Sequence, residues 1–237
     1  MQLFLADKII GYNLWLTDED TKHCIRVLRY KPGDSIKVID GYGNLFLVQI
    51  LEVFPVVKGE ILSTNSLWNV PKANTTLAVA LLKHPDRYEW LIEKAVELGI
   101  TEFQPLLTER TEKTGFKRER AERIIRSATL QCQRSDLMRI SEPVSFLSWI
   151  NEIPTNDSSK YMAWCKADAL IKLPEDEQKA LNPWIIIVGP EGDFNEKEAL
   201  IAKSNGFQLI GLGARILRTE TAAMYLASLR MQSMRDF

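Results

Sequence analysis

A chain of 237 residues, 46% hydrophobic and 26% charged, has the make-up of one large globular domain or two smaller ones, with length enough to bury a core. A formal net charge of -1 excludes overall basicity, so any nucleic-acid contact has to be a local patch. Three scattered cysteines (Cys24, Cys132, Cys165) and two histidines exclude a disulfide framework and a zinc pattern, and point to a reducing, cytoplasmic setting.

The N-terminal stretch MQLFLADKIIGYN lacks a basic segment followed by a long apolar run, so no signal peptide is expected. No run of apolar residues is long enough to span a bilayer, so no membrane partner is expected either. Residues 1–70 are expected to be β-rich. DSIKVID, GNLFLVQILEV and VVKGEIL are short β-branched runs separated by turns such as Asp40-Gly41-Tyr42-Gly43-Asn44. A helix is predicted over Asp18–Leu28, and about six strands imply a small barrel. Asn65–Asn74, with Pro71, reads as a linker.

The rhythm changes from Thr75, and residues 71–237 form the second expected domain. TTLAVALL reads as a strand. Tyr88, Leu91, Ile92, Ala95 and Val96 make one helical stripe that stops at Gly99. FQPLLT is a strand and a long polar helix runs on through Arg134. MRISEPV, YMAWC, WIIIV and FQLIGLG are further strands, and NEIPTNDSSK is a polar loop. Alternating strands and helices predict a mostly parallel sheet covered on both faces.

Two breaks interrupt the last strands. The run Ile185–Val188 stops at Gly189-Pro190-Glu191-Gly192-Asp193, and FQLIGL stops at Gly213, ahead of Ala214-Arg215-Ile216-Leu217-Arg218. Neither matches a phosphate loop. GPEGD lacks the lysine of a GxxxxGK[ST] motif and the spacing of GxGxxG, Pro190 removes a backbone N–H, and Glu191 and Asp193 would repel phosphate. Both breaks fall at carboxyl ends of parallel strands, where open α/β sheets bind ligands. Together they suit a flat heterocycle without phosphate. Taken singly, each is an ordinary turn in which Gly189 and Gly192 supply positive φ. Thr219-Glu220-Thr221 opens the final helix, with a threonine as cap.

VGPEGDF with LGARILRTETAA resembles the RsmE family of ribosomal RNA methyltransferases, in the SPOUT superfamily. HCIRVLRYKPGD, KHPDRYEWLIEKAVELGITEFQPLLTERT and QCQR (131–134) carry the resemblance over nearly the whole chain. Asp193, Leu130 and Met138 depart from the family pattern, which has glycine, glutamate and proline there. If residue 193 lies at positive φ, aspartate tolerates it better than most side chains.

The resemblance implies a PUA-like RNA-binding barrel ahead of a trefoil-knotted SPOUT domain. It further implies an S-adenosylmethionine cofactor, a homodimer, no metal, and methylation of N3 of a uridine in 16S ribosomal RNA, free or in the assembled 30S subunit, during ribosome biogenesis. The cofactor residues it implies are Gly189, Pro190, Glu191, Gly192, Leu212, Gly213, Ile216, Leu217 and Arg218. Arg110, Arg218 and Glu191 are the catalytic candidates, Glu191 first as a pocket residue. Arg110 also reads as a plain surface arginine, and Arg218 as the ion-pair partner of Glu191 or Glu220. Lys94 and Glu97 read as a solvated pair. Arg26 and Arg29, with Lys113, Lys117, Arg118 and Arg120, are the RNA candidates. The last group, run on through Arg123 and Arg126, also reads as a solvated helix with pairs Glu119–Arg123 and Glu122–Arg126. Two other readings stand beside this one: a 2′-O-ribose methyltransferase of tRNA or rRNA, and an RNA-binding protein without activity.

Overall fold

The computed structural model describes residues 2–112, 114–153, 157–167, 169 and 181–234. Lys113, an RNA candidate, lies outside them. The chain divides into two compact units, residues 1–70 with 126–137, and residues 71–125 with 138–237.

In the first unit β1 (Leu3–Ile10), β2 (Asn13–Leu16), β3 (Ser35–Ile39), β4 (Asn44–Glu52) and β5 (Lys58–Ser66) close a barrel in the order β1-β2-β5-β4-β3. Its strands number five, not six, because the last β-branched run continues unbroken to Ser66 along β4. Alternation fills the interior with Phe4, Leu14, Leu16, Ile36, Val38, Phe46, Val48 and Ile50. The β3–β4 turn is held by Asp40, whose Oδ1 accepts the amides of Tyr42 at 2.8 Å and Asn44 at 3.1 Å.

The expected helix over 18–28 is α1 (Asp18–Lys22) followed by a π-helical turn, His23–Val27. Thr17 caps α1 through its hydroxyl. Asp20 is buried and accepts both the Leu5 amide at 2.7 Å and Arg126 Nη2 at 2.7 Å. Arg126 also reaches the Thr17 hydroxyl, so this member of the basic run is a structural cation inside the first unit.

Among the described residues the second unit is built on a seven-stranded sheet. It comprises β6 (Thr75–Ala80), β7 (Glu102–Leu107), β8 (Arg139–Ile140), β9 (Val144–Ser145), β10 (Ser159–Ala163), β11 (Trp184–Val188) and β12 (Gln208–Ile210). The order is β12-β10-β11-β6-β7-β8, with β9 also on β7, and every pairing is parallel. MRISEPV, expected as one strand, is split into β8 and β9. β11 is buried at all five positions, as a central parallel strand must be.

Ile185 and Ile187 face a core shared with α4 (Phe146–Glu152) and α5 (Glu196–Ser204), through Phe146, Ile150 and Ala202. The opposite face takes α2 (Pro85–Glu97) and α6 (Thr219–Ser233), where Arg230 is fully buried over the Trp184 ring at 5.0 Å. α3 (Arg118–Gln131) stops three residues short of the expected end, and Gln133 at φ 60 turns the chain. The polar loop expected at 151–160 gives its ends to α4 and β10, and residues 154–156 lie outside the described set.

Candidate cofactor site

β12, β10 and β11 are adjacent and parallel, so the segments leaving their carboxyl ends converge at one edge of the sheet. Three walls result. The two expected breaks form two of them, 189–193 and 211–218. The third, Ala163-Trp164-Cys165, follows β10 and was read from the sequence only as a strand. They enclose a cavity of about 390 Å³, which also takes Arg87, Thr219 and Ala222 into its lining. That volume is in the range of small-molecule sites.

The 211–218 segment runs between the other two walls. On one side the Trp164 amide donates to Ile210 O at 3.0 Å and the Gly211 amide to Ala169 O at 2.8 Å. On the other, the Thr219 hydroxyl donates to Gly189 O at 2.9 Å. Thr219 was expected to cap α6. Instead Arg218 is the cap residue, with no capping bond from its side chain, and Thr219 ties the helix start to the loop after β11.

Of the expected cofactor residues, Gly189, Pro190, Glu191, Leu212, Gly213, Ile216, Leu217 and Arg218 line the cavity. Gly192 does not. A Cβ there would stand 3.3 Å from Arg110, outside the pocket. Nor are Gly189 and Gly192 glycines of positive φ; in this loop that conformation belongs to Asp193, at φ 58. Gly189 is needed for closeness, because its Cβ would meet the Phe194 ring at 3.0 Å.

Arg87 is the residue that sequence reasoning missed. In the first turn of α2, it grips Glu220 with a fork, Nε to Oε1 at 2.8 Å and Nη2 to Oε2 at 2.5 Å. Its Nη1 lies 3.9 Å from Glu191 Oε1, and that same oxygen accepts the Lys83 amide at 3.2 Å. Burial pushes the Glu220 carboxyl up, but the Arg87 hydrogen bonds, the Glu220 backbone hydrogen bond and the charges of Arg87 and Arg218 together outweigh it and hold the group below 4.5. Both expected partners of Arg218 are therefore engaged by Arg87, and Arg218 stays exposed with no ion pair among the described residues.

Arg110 is exposed beside the pocket, donating from Nη1 to Gly192 O at 2.6 Å. Its neighbour Glu109 accepts Asn195 Nδ2 at 2.7 Å and donates its amide to Glu198 at 3.0 Å, so the loop after β7 is tied to the start of α5. Lys94 bridges Glu93 and Glu97 on α2, the solvated pairing expected there.

Among the RNA candidates Arg118 pairs with Glu122 at 2.8 Å and Arg120 with Glu89, while Lys117 is exposed without an ion pair among the described residues. The i,i+4 pair on α3 is thus Arg118–Glu122. Arg123 instead donates to the Glu119 carbonyl, and Arg126 turns to Asp20. Arg26 and Arg29 are exposed on the first unit, Arg29 at φ 58.

Among the described residues no group of three or more His, Cys, Asp or Glu side chains is placed to hold a metal, and no helix is long and apolar enough to cross a membrane.

Residues 69–231 match the model of an RNA methyltransferase domain, and residues 16–53 that of an RNA methyltransferase PUA domain. The ribosomal RNA small subunit methyltransferase E of Synechocystis is 32% identical, covering 91% of this chain and 72% of its own. That of Mesomycoplasma hyopneumoniae is 30% identical, covering 90% and 92%. Among solved structures, the Neisseria gonorrhoeae enzyme of that name, bound to S-adenosyl methionine, superposes with TM-score 0.84 at 28% identity over 98% of this chain and 97% of its own. A probable rRNA-methyltransferase from Porphyromonas gingivalis gives 0.86 at 28%, over 99% and 98%.

Proposed function

We propose, from the premise that this chain belongs to the RsmE family of ribosomal RNA methyltransferases, that it methylates N3 of a uridine in 16S ribosomal RNA with S-adenosylmethionine. The observation that carries this reading is the convergence of GPEGD and LGARILR on one cavity. The cavity fits the cofactor in character. It offers small residues and backbone for a flat base, Glu191 for a cation, and no phosphate cradle. Gly189, Pro190, Glu191, Leu212, Gly213, Ile216, Leu217 and Arg218 would hold it. When bound, S-adenosylmethionine supplies an electrophilic methyl group on a sulfonium, open to in-line displacement.

The chain's own work is then positioning and charge stabilisation. Uridine N3 becomes nucleophilic when its proton leaves, and the charge spreads to O2 and O4. Arg218, exposed on the cavity wall, would stabilise that charge. Arg110 shares this role from the rim. Glu191 has one oxygen already engaged by Lys83 and faces Arg87, which favours a pocket-forming role over proton transfer.

Arg110→Ala should lower kcat about tenfold while the S-adenosylmethionine Kd stays within about twofold, since Arg110 lies outside the cavity lining. Equal losses in both would make Arg110 a cofactor residue. The protein acts in the cytoplasm as a homodimer on RNA or the assembled 30S subunit, a reading that sedimentation and methyl transfer to each substrate will test. In the RNA contact Lys117 counts for more than Arg118 and Arg120, whose charges are locally matched. Lys117→Ala should therefore reduce the slope of log K against log salt by about one, and Arg120→Ala by less.

The function is tested by mass spectrometry of 16S nucleosides from cells lacking the protein. Loss of 3-methyluridine is expected. Loss of a 2′-O-methylnucleoside instead would establish the ribose reading.

A further inference from the structure

Something must hold the third wall, 163–165, against the other two. Consecutive residues supply ties to the loop after β11 and to the start of α5. Trp164 Nε1 donates to Phe194 O at 3.4 Å, Cys165 N to Asp193 Oδ2 at 3.0 Å, and Lys166 pairs with Glu196 at 2.7 Å. The first is long, and the last joins side chains 64% and 72% exposed, a class of pair that contributes little. The middle tie is charge-assisted and belongs to a side chain built into its place. Asp193 Oδ1 accepts the Phe194 amide at 2.8 Å, and the Asp193 amide donates to Pro190 O at 2.9 Å. One carboxylate thus takes an amide from each of two loops, and both loops line the cavity.

We propose that Asp193 is a positioning residue for the cofactor: its carboxylate clasps the Cys165 amide and so pre-forms the third wall before S-adenosylmethionine arrives. The inference rests on the cofactor reading of this cavity. Asp193 holds the left-handed backbone at φ 58 that aspartate, asparagine and glycine tolerate, so the clasp can be removed without backbone strain. The Cys165 thiol, raised by burial and by the Asp193 charge and hydrogen bond, stays protonated. Without the clasp, binding must order the wall, and that cost falls on cofactor affinity and not on chemistry.

Three full-length proteins decide it: wild type, Asp193→Gly and Asp193→Asn, titrated with S-adenosylmethionine by calorimetry and assayed for methyl transfer to 30S subunits. Asp193→Gly should bind about tenfold more weakly, with KM for S-adenosylmethionine raised alike and kcat within about twofold, as expected for one lost charge-assisted bond. Asp193→Asn keeps one carbonyl acceptor and should lose about threefold. Hydrogen exchange without cofactor should quicken at amides 164–167 in Asp193→Gly and stay unchanged in β11.

A glycine variant binding as tightly as wild type, or an asparagine variant no better than the glycine one, would overturn the clasp and leave the cavity's assignment intact. Wild-type protein failing to bind S-adenosylmethionine would overturn the cofactor reading itself, and the clasp with it.

Discussion

Gly211→Ala should weaken S-adenosylmethionine binding at least about a hundredfold, some 3 kcal/mol. Gly211 is buried where the chain leaves β12, and a Cβ there would stand under 3.0 Å from the Ala167 carbonyl oxygen. That atom is backbone, and the same stretch accepts the Gly211 amide through Ala169 O at 2.8 Å. No rotamer change relieves the clash. The backbone at Gly211 and at Ala167 must part, and these run into two of the three cavity walls, 211–218 and 163–165. Gly211 has no positive φ to lose, so the effect is steric alone. Overpacking of this kind costs about 1–3 kcal/mol of stability, so the variant should still fold. Calorimetry beside a thermal melt separates the two effects. Wild-type affinity in Gly211→Ala would mean that these walls do not meet in solution.

Arg87→Ala should destabilise the protein by about 2 kcal/mol near neutral pH, because it leaves the Glu220 carboxylate without its partner in a site where that side chain is 12% exposed. The loss should depend on pH in a set direction. Burial raises the Glu220 carboxyl, but the Arg87 hydrogen bonds, the Glu220 backbone hydrogen bond and the Arg87 and Arg218 charges together more than reverse this, so the folded value lies below 4.5. The folded protein binds this proton less readily than the unfolded chain. The stabilisation is therefore complete above about pH 4.5 and disappears as pH falls through the lower folded value. In Arg87→Ala burial is opposed only by the Glu220 backbone hydrogen bond and the Arg218 charge, so that variant should lose less stability on acidification. The gap in Tm should be widest near pH 7 and close below pH 4.5. A gap that stays constant across this range would mean that Arg87 acts by packing and not by charge. Arg87→Lys keeps the charge but not the fork and should recover only part of the loss. Cofactor affinity should fall as well, since Arg87 lines the cavity and faces Glu191.

The alternating strands and helices after Thr75 are legible in the chain because burial on both faces demands apolar runs such as WIIIV. The barrel is legible because its turns need residues such as Asp40. The two breaks were visible because glycine and proline interrupt a strand abruptly. The third wall was not, because YMAWC has no such punctuation, and its place beside GPEGD depends on the strand order β12-β10-β11. Arg87 was equally hidden. In DRYEW it reads as one polar position of an amphipathic helix, and only the meeting of α2 and α6 brings Glu220 to it.

Local chemistry, then, was written in the residues themselves. Hydrophobic period and turn residues determined where elements form and where the chain breaks at 189–193 and 212–218, because these depend on neighbours a few positions apart. The tertiary structure decided which carboxylates are matched and which glycines are required by crowding. It also decided that a single aspartate joins two loops. Those properties arise between segments tens of residues apart, whose distances are set by sheet order and helix packing and by no local pattern.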